Sequence, residues 1–359
     1  MFLKYDRVCR GIRSMKGNPF TLSFGSSPSE HISRVGIKDS LSKNLEAEPP
    51  LSHCFIITGV RGSGKTVLLT SIEKEFEKNP KWVVVELNPE DDMRESLAAK
   101  LYSSSKTKHL FLQKSFSVSF HGVSFSLSGK NPVLNIDDLL EKMLVEIKRQ
   151  KKKVLVLVDE ATSNPQMKRF ALSFQILIRK DCPLFLLATG LYENISTLQN
   201  EKNLTFLIRA PKTFLSPLNI SSIALSYQNS IGITYEEALE YAKLTKGYAF
   251  AFQLLGYLLF ESGNKKIDYK LLIQFDQYLS EFVYTKVWSS LSPVEQNIAK
   301  TFKTNEEIGV NEVLSRNEMT KEYFSQYRDR LLKKGILTAP SRGRLCFALP
   351  RFKEFIDTH

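Results

Sequence analysis

The residues best suited to chemistry in this 359-residue chain form two groups. The first group follows the apolar run Phe55–Thr58 and has the spacing G-x-x-x-x-G-K-T, from Gly59 to Thr66. Glycines let successive backbone N–H groups curl around a phosphate without clashes of Cβ atoms. The helix that begins near Lys65 points the positive end of its dipole at the same place. The spacing therefore predicts a P-loop that binds the phosphates of a nucleotide.

Individual side chains of this loop have predicted roles. We expect Lys65 to reach the β- and γ-phosphates, and the hydroxyl of Thr66 to bind Mg²⁺. A chance glycine-rich turn is the alternative, and the apolar strand before the motif and the helix after it argue against that alternative. The residues assigned to binding of ATP or ADP are Gly59, Val60, Arg61, Gly62, Ser63, Gly64, Lys65, Thr66 and Val67.

The second group ends the continuous apolar run Val154–Val158, which is typical of a parallel strand buried on both faces. Asp159 and Glu160 follow at the carboxyl end of that strand, the edge at which α/β sheets bind ligands. We expect Asp159 to hold Mg²⁺, directly or through water, and Glu160 to activate the attacking water. A strand end that is acidic by chance is the alternative, but the P-loop upstream favours the catalytic interpretation.

Two further residues are predicted to act in catalysis with Lys65 and Glu160. Thr189 follows the predicted strand Leu184–Ala188 and would touch the γ-phosphate or the water, with a simple strand-end threonine as the alternative. Arg209 follows a strand predicted at Leu204–Ile208 and would contact phosphate in its own chain or in a neighbouring subunit. An ordinary surface arginine is the equally weighted alternative.

Composition limits the class of protein. A hydrophobic fraction of 42% and a charged fraction of 25% are those of an ordinary soluble protein, and no apolar run approaches the length of a membrane span. We therefore expect no membrane partner. The four cysteines lack metal-ligand spacing, so we expect free thiols in a reducing cytoplasm. The net charge of +12 permits an anionic partner without identifying it.

The order of predicted elements indicates an α/β protein with additional helical parts. Strands alternate with helices across the first half, and only helices are predicted after about residue 216 until a terminal strand pair. The predicted parts are an N-terminal arm at 1–50, a parallel-sheet P-loop core at 51–214, an all-α lid at 215–287 and a winged-helix domain at 288–359. Within the core, alternation of polar and apolar residues around His121-Gly122 predicts a β-hairpin insertion at about 103–131, with a disordered serine-rich loop as the alternative.

The last part of the chain has the pattern of a winged helix-turn-helix. A helix start is marked by Ser292-Pro293-Val294-Glu295, two more helices follow, and a strand, a turn and a strand end the pattern. The third helix is predicted to bury Tyr323, Phe324, Tyr327 and Leu331. Arg342 and Arg344 occupy the turn of the wing, where a winged helix usually meets phosphate, so residues 288–359 are predicted to bind duplex DNA. A domain that docks on protein is the alternative.

With the P-loop, Val154–Glu160, Thr189, a helical lid and a winged helix in this order, the chain resembles AAA-type ATPases. The closer resemblance is to origin-recognition initiators and STAND regulatory NTPases, and it covers most of the chain beyond about residue 18. The segments Asn18-Pro19-Phe20, Tyr327–Leu331 and Leu349–Phe352 are similar to those of a bacterial group described only as ATP-binding proteins.

This resemblance implies a Mg-dependent ATPase that acts as a nucleotide-dependent switch and forms a nucleotide-dependent homo-oligomer. Its winged helix would bind DNA, or would dock on protein in a STAND-like signalling or defence ATPase. A small-molecule kinase is the least favoured class, because the lid is apolar and lacks an arginine-rich segment. The start of the lid departs from both groups: initiators carry an arginine in the lid where this chain has Gly247–Phe250, and Ala249 replaces a proline of STAND proteins.

Overall fold

The computed structural model describes residues 17–22, 30–112, 116–118, 125–127 and 135–359. Its centre is a five-stranded sheet in which every neighbouring pair is parallel, in the order β2-β5-β6-β1-β7. The strands of the described chain are β1 (Cys54–Thr58), β2 (Trp82–Glu86), β3 (Phe116–Val118), β4 (Phe125–Leu127), β5 (Lys153–Val158), β6 (Leu184–Gly190), β7 (Lys212–Phe214), β8 (Ile308–Gly309), β9 (Leu337–Thr338) and β10 (Arg344–Phe347).

The register of the central strands brings the predicted catalytic segments to one edge. Strand β6 lies between β1 and β5, with Gly190 opposite Thr58 and Ala188 opposite Val158. Because parallel strands share the direction of their carboxyl ends, the P-loop after β1 and the acidic pair after β5 leave the sheet on either side of Thr189. All three segments therefore meet at one place.

Helices cover both faces of this sheet, as the continuous apolar strands require. Helices α1 and α2 pack on one face, and α3, α5, α6 and α7 contribute to the core on the other. The helices of this region are α1 (Val35–Glu46), α2 (Lys65–Lys78), α3 (Met93–Ser103), α4 (Lys108–Leu112), α5 (Ile136–Arg149), α6 (Pro165–Arg179) and α7 (Tyr192–Gln199).

The strand predicted at Leu204–Ile208 is wrong. Thr205–Arg209 forms a 3-10 helix, and the fifth strand of the sheet is β7, three residues further on. The spacing explains the difference: Leu204 and Leu207 are buried three residues apart, whereas Ile208 is 54% exposed. A one-sided apolar pattern with that spacing suits a helical turn better than a strand buried on both faces.

The predicted hairpin insertion has antiparallel pairing in the structure. Phe116 lies opposite Leu127 and Val118 lies opposite Phe125, which agrees with the alternating sequence pattern. The turn predicted at His121-Gly122 lies outside the described residues.

The second half of the chain is largely helical, and one apolar cluster runs through it together with Phe20 of the N-terminal arm. A π-helical segment, Ser280–Tyr284, connects two of its helices. The helices are α8 (Ile220–Ile231), α9 (Tyr235–Leu244), α10 (Ala249–Ser262), α11 (Tyr269–Leu279), α12 (Thr285–Ser289), α13 (Pro293–Lys300), α14 (Val310–Asn317), α15 (Lys321–Lys333) and α16 (Phe352–Ile356). None of the helices in the described ranges is both long and apolar enough to cross a bilayer.

Helices α13, α14 and α15 are followed by the strand pair β9 and β10, and β10 also pairs with β8 in a three-stranded antiparallel sheet. This is the element order from which the winged helix was predicted. The predicted capping box at the start of α13 is present, with Ser292 accepting from the amide of Glu295. Apolar side chains of these helices and of the small sheet pack together. They belong to the same apolar cluster as the side chains of the preceding helices.

The predicted buried face of α15 is partly wrong. Phe324 and Leu331 are buried, with 2% and 0% exposure, but Tyr323 is 45% exposed. Positions 324 and 331 are two helical turns apart and define a narrow apolar stripe, so position 323 falls beside it. The ring of Tyr323 instead packs edge-on against Tyr327 at 5.0 Å between centroids, on the outer surface of the helix.

Candidate nucleotide-binding site

The backbone of the P-loop has the conformation that its glycines were predicted to allow. Gly62 and Gly64 have φ values of +73° and +88°, a region in which L side chains are strained. A Cβ atom added to Gly59 would lie 2.6 Å from Ser63 Oγ. Gly64 is the N-cap of α2 and no side chain caps this helix, so its first N–H groups are available to an anion.

Lys65 lies at the inner wall of the loop. Its Nζ donates to Gly59 O at 3.1 Å and to Val60 O at 3.0 Å, and the residue is only 8% exposed. Burial lowers the pKa of Lys65 to about 8, although the negative charges of Asp159 and Glu160 act in the opposite direction. An anion bound at this nitrogen stabilises the charged form that burial disfavours.

Asp159 is hydrogen-bonded to both hydroxyl groups predicted to act beside it. Thr66 Oγ1 donates to Asp159 Oδ2 at 2.7 Å, and Thr189 Oγ1 donates to Asp159 Oδ1. A hydroxyl and a carboxylate in contact are oxygen ligands of the kind that Mg²⁺ prefers, and Mg²⁺ takes few protein ligands beside phosphates and water. The donor set therefore fits Mg²⁺, with Thr66 and Asp159 as the residues that would hold it.

Glu160 is the least constrained side chain of the group. Its backbone has φ +53°, and its amide donates to Asp159 Oδ1 at 3.1 Å and to Thr189 Oγ1 at 3.2 Å. A left-handed conformation at a residue other than glycine is costly and persists only where the surroundings impose it. Here the two hydrogen bonds hold the backbone, and the carboxylate is left exposed at the edge of the sheet.

The structure brings together Lys65, Thr66, Asp159 and Thr189, with Glu160 beside them, whereas Arg209 is separate. Arg209 is exposed at the end of the 3-10 helix and is absent from the lining of the cavities described beside the P-loop. Its contact with phosphate, in its own chain or in a neighbouring subunit, stays a prediction.

One cavity beside the P-loop lies against its carboxyl-terminal half. It has about 550 Å³ of empty space and is lined by Gly64 and Val67, by the segment 31–34 that precedes α1, and by residues of α10. Arg34 donates to Ser63 O at 3.1 Å and to Ser216 O, and burial lowers the pKa of its guanidinium.

A second cavity lies against the amino-terminal half of the loop and has about 630 Å³ of empty space. Gly59, Val60 and Arg61 form one wall, and the opposite wall includes Glu193 of α7 and Lys334, which follows α15. Lys65 Nζ bonds the carbonyl groups of Gly59 and Val60, and the P-loop lysine reaches the β- and γ-phosphates. We therefore call this the γ-side cavity.

Sequence reasoning missed the residues that approach the P-loop from distant parts of the chain. Tyr248 Oη donates to Arg61 O at 2.6 Å, and the amide of Phe250 donates to Gly62 O at 3.1 Å. In the sequence, the segment Gly247–Phe250 stands out only because it lacks the arginine of initiator lids and the proline of STAND proteins. Its apolar and aromatic composition gave no sign that it would hydrogen-bond the phosphate loop.

Comparison with protein families and solved structures agrees with the fold. Residues 35–161 match the KAP family P-loop domain, and residues 281–356 match a domain of unknown function (DUF8462). The ORC2 protein of Aeropyrum pernix, solved in ADPNP–ADP complexes, covers 94% of this chain with 96% of its own, at 15% identity and a TM-score of 0.55. The chain has the fold of a P-loop NTPase. No curated protein matches the chain.

Two other solved structures are less similar. Cdc6p from Pyrobaculum aerophilum covers 94% of this chain with 96% of its own, at 14% identity and a TM-score of 0.48. A STAND protein with a tetratricopeptide repeat sensor from Pyrococcus horikoshii covers 96% of this chain with 44% of its own, at 18% identity and a TM-score of 0.39. The predicted fold class, a parallel P-loop core followed by helical parts, is confirmed by the sheet and by the ORC2 match.

Proposed function

We propose that this P-loop NTPase binds Mg-ATP, hydrolyses it to ADP and phosphate, and acts as a nucleotide-dependent switch. The observation that supports this most directly is the hydrogen-bonded group of Thr66, Asp159 and Thr189 at the edge of the sheet. Lys65 and the uncapped start of α2 lie beside that group. A site with a buried cation, free amides and paired oxygen ligands has what a triphosphate and its metal need.

In this proposal each residue of the site has a separate role in binding or hydrolysis of the nucleotide. Lys65 and the loop amides would hold the β- and γ-phosphates. Thr66 and Asp159 would hold Mg²⁺, which would supply positive charge beside the phosphate oxygens. Thr189 orients Asp159, and its hydroxyl lies beside the amide of Glu160. Glu160 accepts a proton from the attacking water, a role for which its exposed carboxylate has room.

Replacing Glu160 with glutamine tests the assignment of the base. The change keeps the size of the side chain and removes its basicity, so Glu160→Gln should keep nucleotide affinity within about twofold and lower turnover about 10²- to 10⁴-fold. Calorimetric titration with ATP and steady-state phosphate release measure the two quantities. Glu77→Gln is a matched control, because Glu77 is exposed near the far end of α2. Equal losses of affinity and turnover in Glu160→Gln would contradict the assignment.

We also propose that the C-terminal region binds duplex DNA through its wing, the turn between β9 and β10. Arg342 in this turn and Arg344 at the start of β10 are exposed, and Gly343 between them has open space around it. Lys334 and Gly335 face the P-loop instead, so the region contacts the core on one side and presents the wing on another. The residues that contact the core are thus different from the arginines of the wing. The wing is left available to another partner, and its two exposed arginines favour DNA as that partner.

Salt-dependent binding tests this second proposal. Each phosphate contact releases about one counterion, so Arg342→Glu with Arg344→Glu should lower the slope of log affinity against log salt by about 2 and weaken binding of duplex DNA. Lys202→Glu with Lys270→Glu is the control, since it changes the net charge equally at two exposed lysines outside the wing. No binding by the parent protein at low salt, or equal losses in both double variants, would contradict DNA binding by the wing.

A further inference from the structure

The γ-side cavity places a cation of the C-terminal region opposite the part of the P-loop nearest the predicted γ-phosphate position. Lys334 belongs to the wall that faces Gly59, Val60 and Arg61. The start of the lid, Gly247–Phe250, supplies no arginine or lysine at this loop and contacts it through Tyr248 Oη and a backbone amide. Two cations from beyond the P-loop line this cavity: Lys286, which is exposed, and Lys334, whose side chain is only 10% exposed and is therefore the more fixed of the two.

Lys334 is held by two carboxylates from different parts of the fold. Its Nζ lies 2.9 Å from Glu295 Oε2 in its own region and 3.3 Å from Glu193 Oε1 of α7 in the core. Its side chain is 10% exposed, that of Glu295 is 2% exposed, and that of Glu193 is 36% exposed. Glu295 therefore gives Lys334 a fixed and buried partner, whereas Glu193 is the partner that an anion can replace.

The backbone next to Lys334 is in direct contact with the P-loop. Gly335 is buried with φ +71°, and a Cβ atom there would lie 3.2 Å from Val60 Cβ. Val60 also packs on the apolar cluster that joins the helical half of the chain. A movement of the amino-terminal half of the loop must therefore move, or be opposed by, the segment that carries Lys334.

Glu193 of α7 brings a negative charge to the γ-side cavity from the side of the core. Glu193 lines the γ-side cavity together with Gly59 and Val60, and the carbonyl groups of these two residues accept from Lys65 Nζ. The carboxylate of Glu193 therefore faces the part of the loop that holds the phosphate-binding lysine. A γ-phosphate bound there would meet the repulsion of Glu193 unless a cation stood between them.

We propose that Lys334 is a γ-phosphate-sensing residue supplied by the C-terminal region, and that Glu193 opposes it to set the preference for ATP over ADP. The inference rests on the proposed function, because it requires nucleotide in the P-loop. When a γ-phosphate is present, Lys334 keeps Glu295 and exchanges Glu193 for the phosphate. This exchange holds the C-terminal region against the P-loop more firmly in the ATP state than in the ADP state.

The ratio of the Kd for ADP to the Kd for ATP measures this preference, with calorimetric titration of the full chain by each nucleotide. Lys334→Met removes the cation and keeps most of the packing, so it should lower the ratio about tenfold. Glu193→Gln removes the repulsion and keeps the Lys334–Glu295 pair, so it should raise the ratio about tenfold. Lys334→Arg should keep most of the parent ratio, because it retains the charge.

Lys321→Met is the matched control, since Lys321 is an exposed lysine at the start of the same helix and does not line the γ-side cavity. It should leave the ratio within about twofold of the parent value. Hydrogen exchange of residues 321–336 gives a second measurement: exchange should be slower with ATP than with ADP in the parent protein and equal in Lys334→Met.

The outcomes separate the two proposals. A parent protein that binds neither nucleotide would overturn the proposed function and this inference with it. A parent protein that binds both, with ratios unchanged in Lys334→Met and Glu193→Gln, would overturn the role of Lys334 alone. If Lys334→Met fails to fold because Glu295 is left buried without its cation, the rise expected in Glu193→Gln decides the question.

Discussion

A side chain at Gly62 should force the start of α10 away from the P-loop. Gly62 has φ +73°, and a Cβ atom there would lie 2.3 Å from Tyr248 Oη and 3.0 Å from Phe250 Cβ. Tyr248 Oη donates to Arg61 O, and the amide of Phe250 donates to Gly62 O. Gly62→Ala should therefore disrupt the two hydrogen bonds that join the start of α10 to the loop.

The cost of Gly62→Ala has three parts. An alanine in the left-handed region costs about 1 to 2 kcal/mol. Displacing Tyr248 from a contact far inside van der Waals distance resembles overpacking of a core, at about 1 to 3 kcal/mol. Loss of the Tyr248–Arg61 hydrogen bond adds about 1 kcal/mol. We expect the free energy for local opening of this contact to fall by about 3 to 6 kcal/mol.

Two other variants separate these parts. Gly263→Ala places an alanine at φ +60° at the other end of α10, where nothing lies within 4 Å, so it should cost only the strain of about 1 to 2 kcal/mol. Tyr248→Phe should cost about 1 kcal/mol, since it removes the hydroxyl and keeps the ring. In the double variant the clashing oxygen is absent, so its cost should be smaller than the sum of the single costs by about 1 to 2 kcal/mol.

Native-state hydrogen exchange of the peptide that contains the Phe250 amide measures the opening free energy directly. The parent, Gly62→Ala, Tyr248→Phe and their double variant form one thermodynamic cycle. Additive costs to within about 0.5 kcal/mol would refute the contact between Tyr248 and the Gly62 position. A cost of Gly62→Ala no larger than that of Gly263→Ala would show that only backbone strain matters there.

Three other predictions follow from the site and its supports. Lys65→Ala should abolish or greatly weaken ATP binding, because it removes the buried cation of the loop. Unchanged affinity in a titration would show that the site was assigned to the wrong residues. Arg209→Ala should prevent oligomers that form with ATP, as measured by size-exclusion chromatography, and equal oligomers in parent and variant would remove its assignment. Phe20→Ala should lower the free energy of unfolding by about 3 to 5 kcal/mol, because Phe20 is 1% exposed against α10. A change below about 1 kcal/mol in urea unfolding would contradict that packing.

The central sheet and the placement of the acidic pair were predictable because their signals are local. The P-loop spacing and the run Val154–Val158 each combine an apolar strand with polar residues directly after it. Parallel strands then bring such ends to one edge without further information. The hydrogen bonds that Thr66 and Thr189 donate to Asp159 are the structural result of that rule.

Errors arose where a short apolar segment had two possible periodicities. Leu204–Ile208 contains enough apolar residues for a strand, but only Leu204 and Leu207 are buried, and the segment turns as a 3-10 helix. Tyr323 has the apolar ring expected of a core position, yet its hydroxyl accepts from that of Tyr327 at 3.2 Å on the outer surface. In both cases the neighbouring elements, and not local composition, decide which side chains are buried.

Contacts with the P-loop from distant segments could not be predicted from spacing, and together they constrain how the loop can respond to phosphate. Arg34 donates to Ser63 O, Tyr248 donates to Arg61 O, and Gly335 abuts Val60, so three separate parts of the chain touch the same four-residue stretch of one loop, 60–63. The amides that would turn toward phosphate belong to the same peptide units whose carbonyl groups accept these bonds. Phosphate binding must therefore either preserve all three contacts or change them together, and the second case would transmit occupancy of the site to the arm, the lid and the C-terminal region at once.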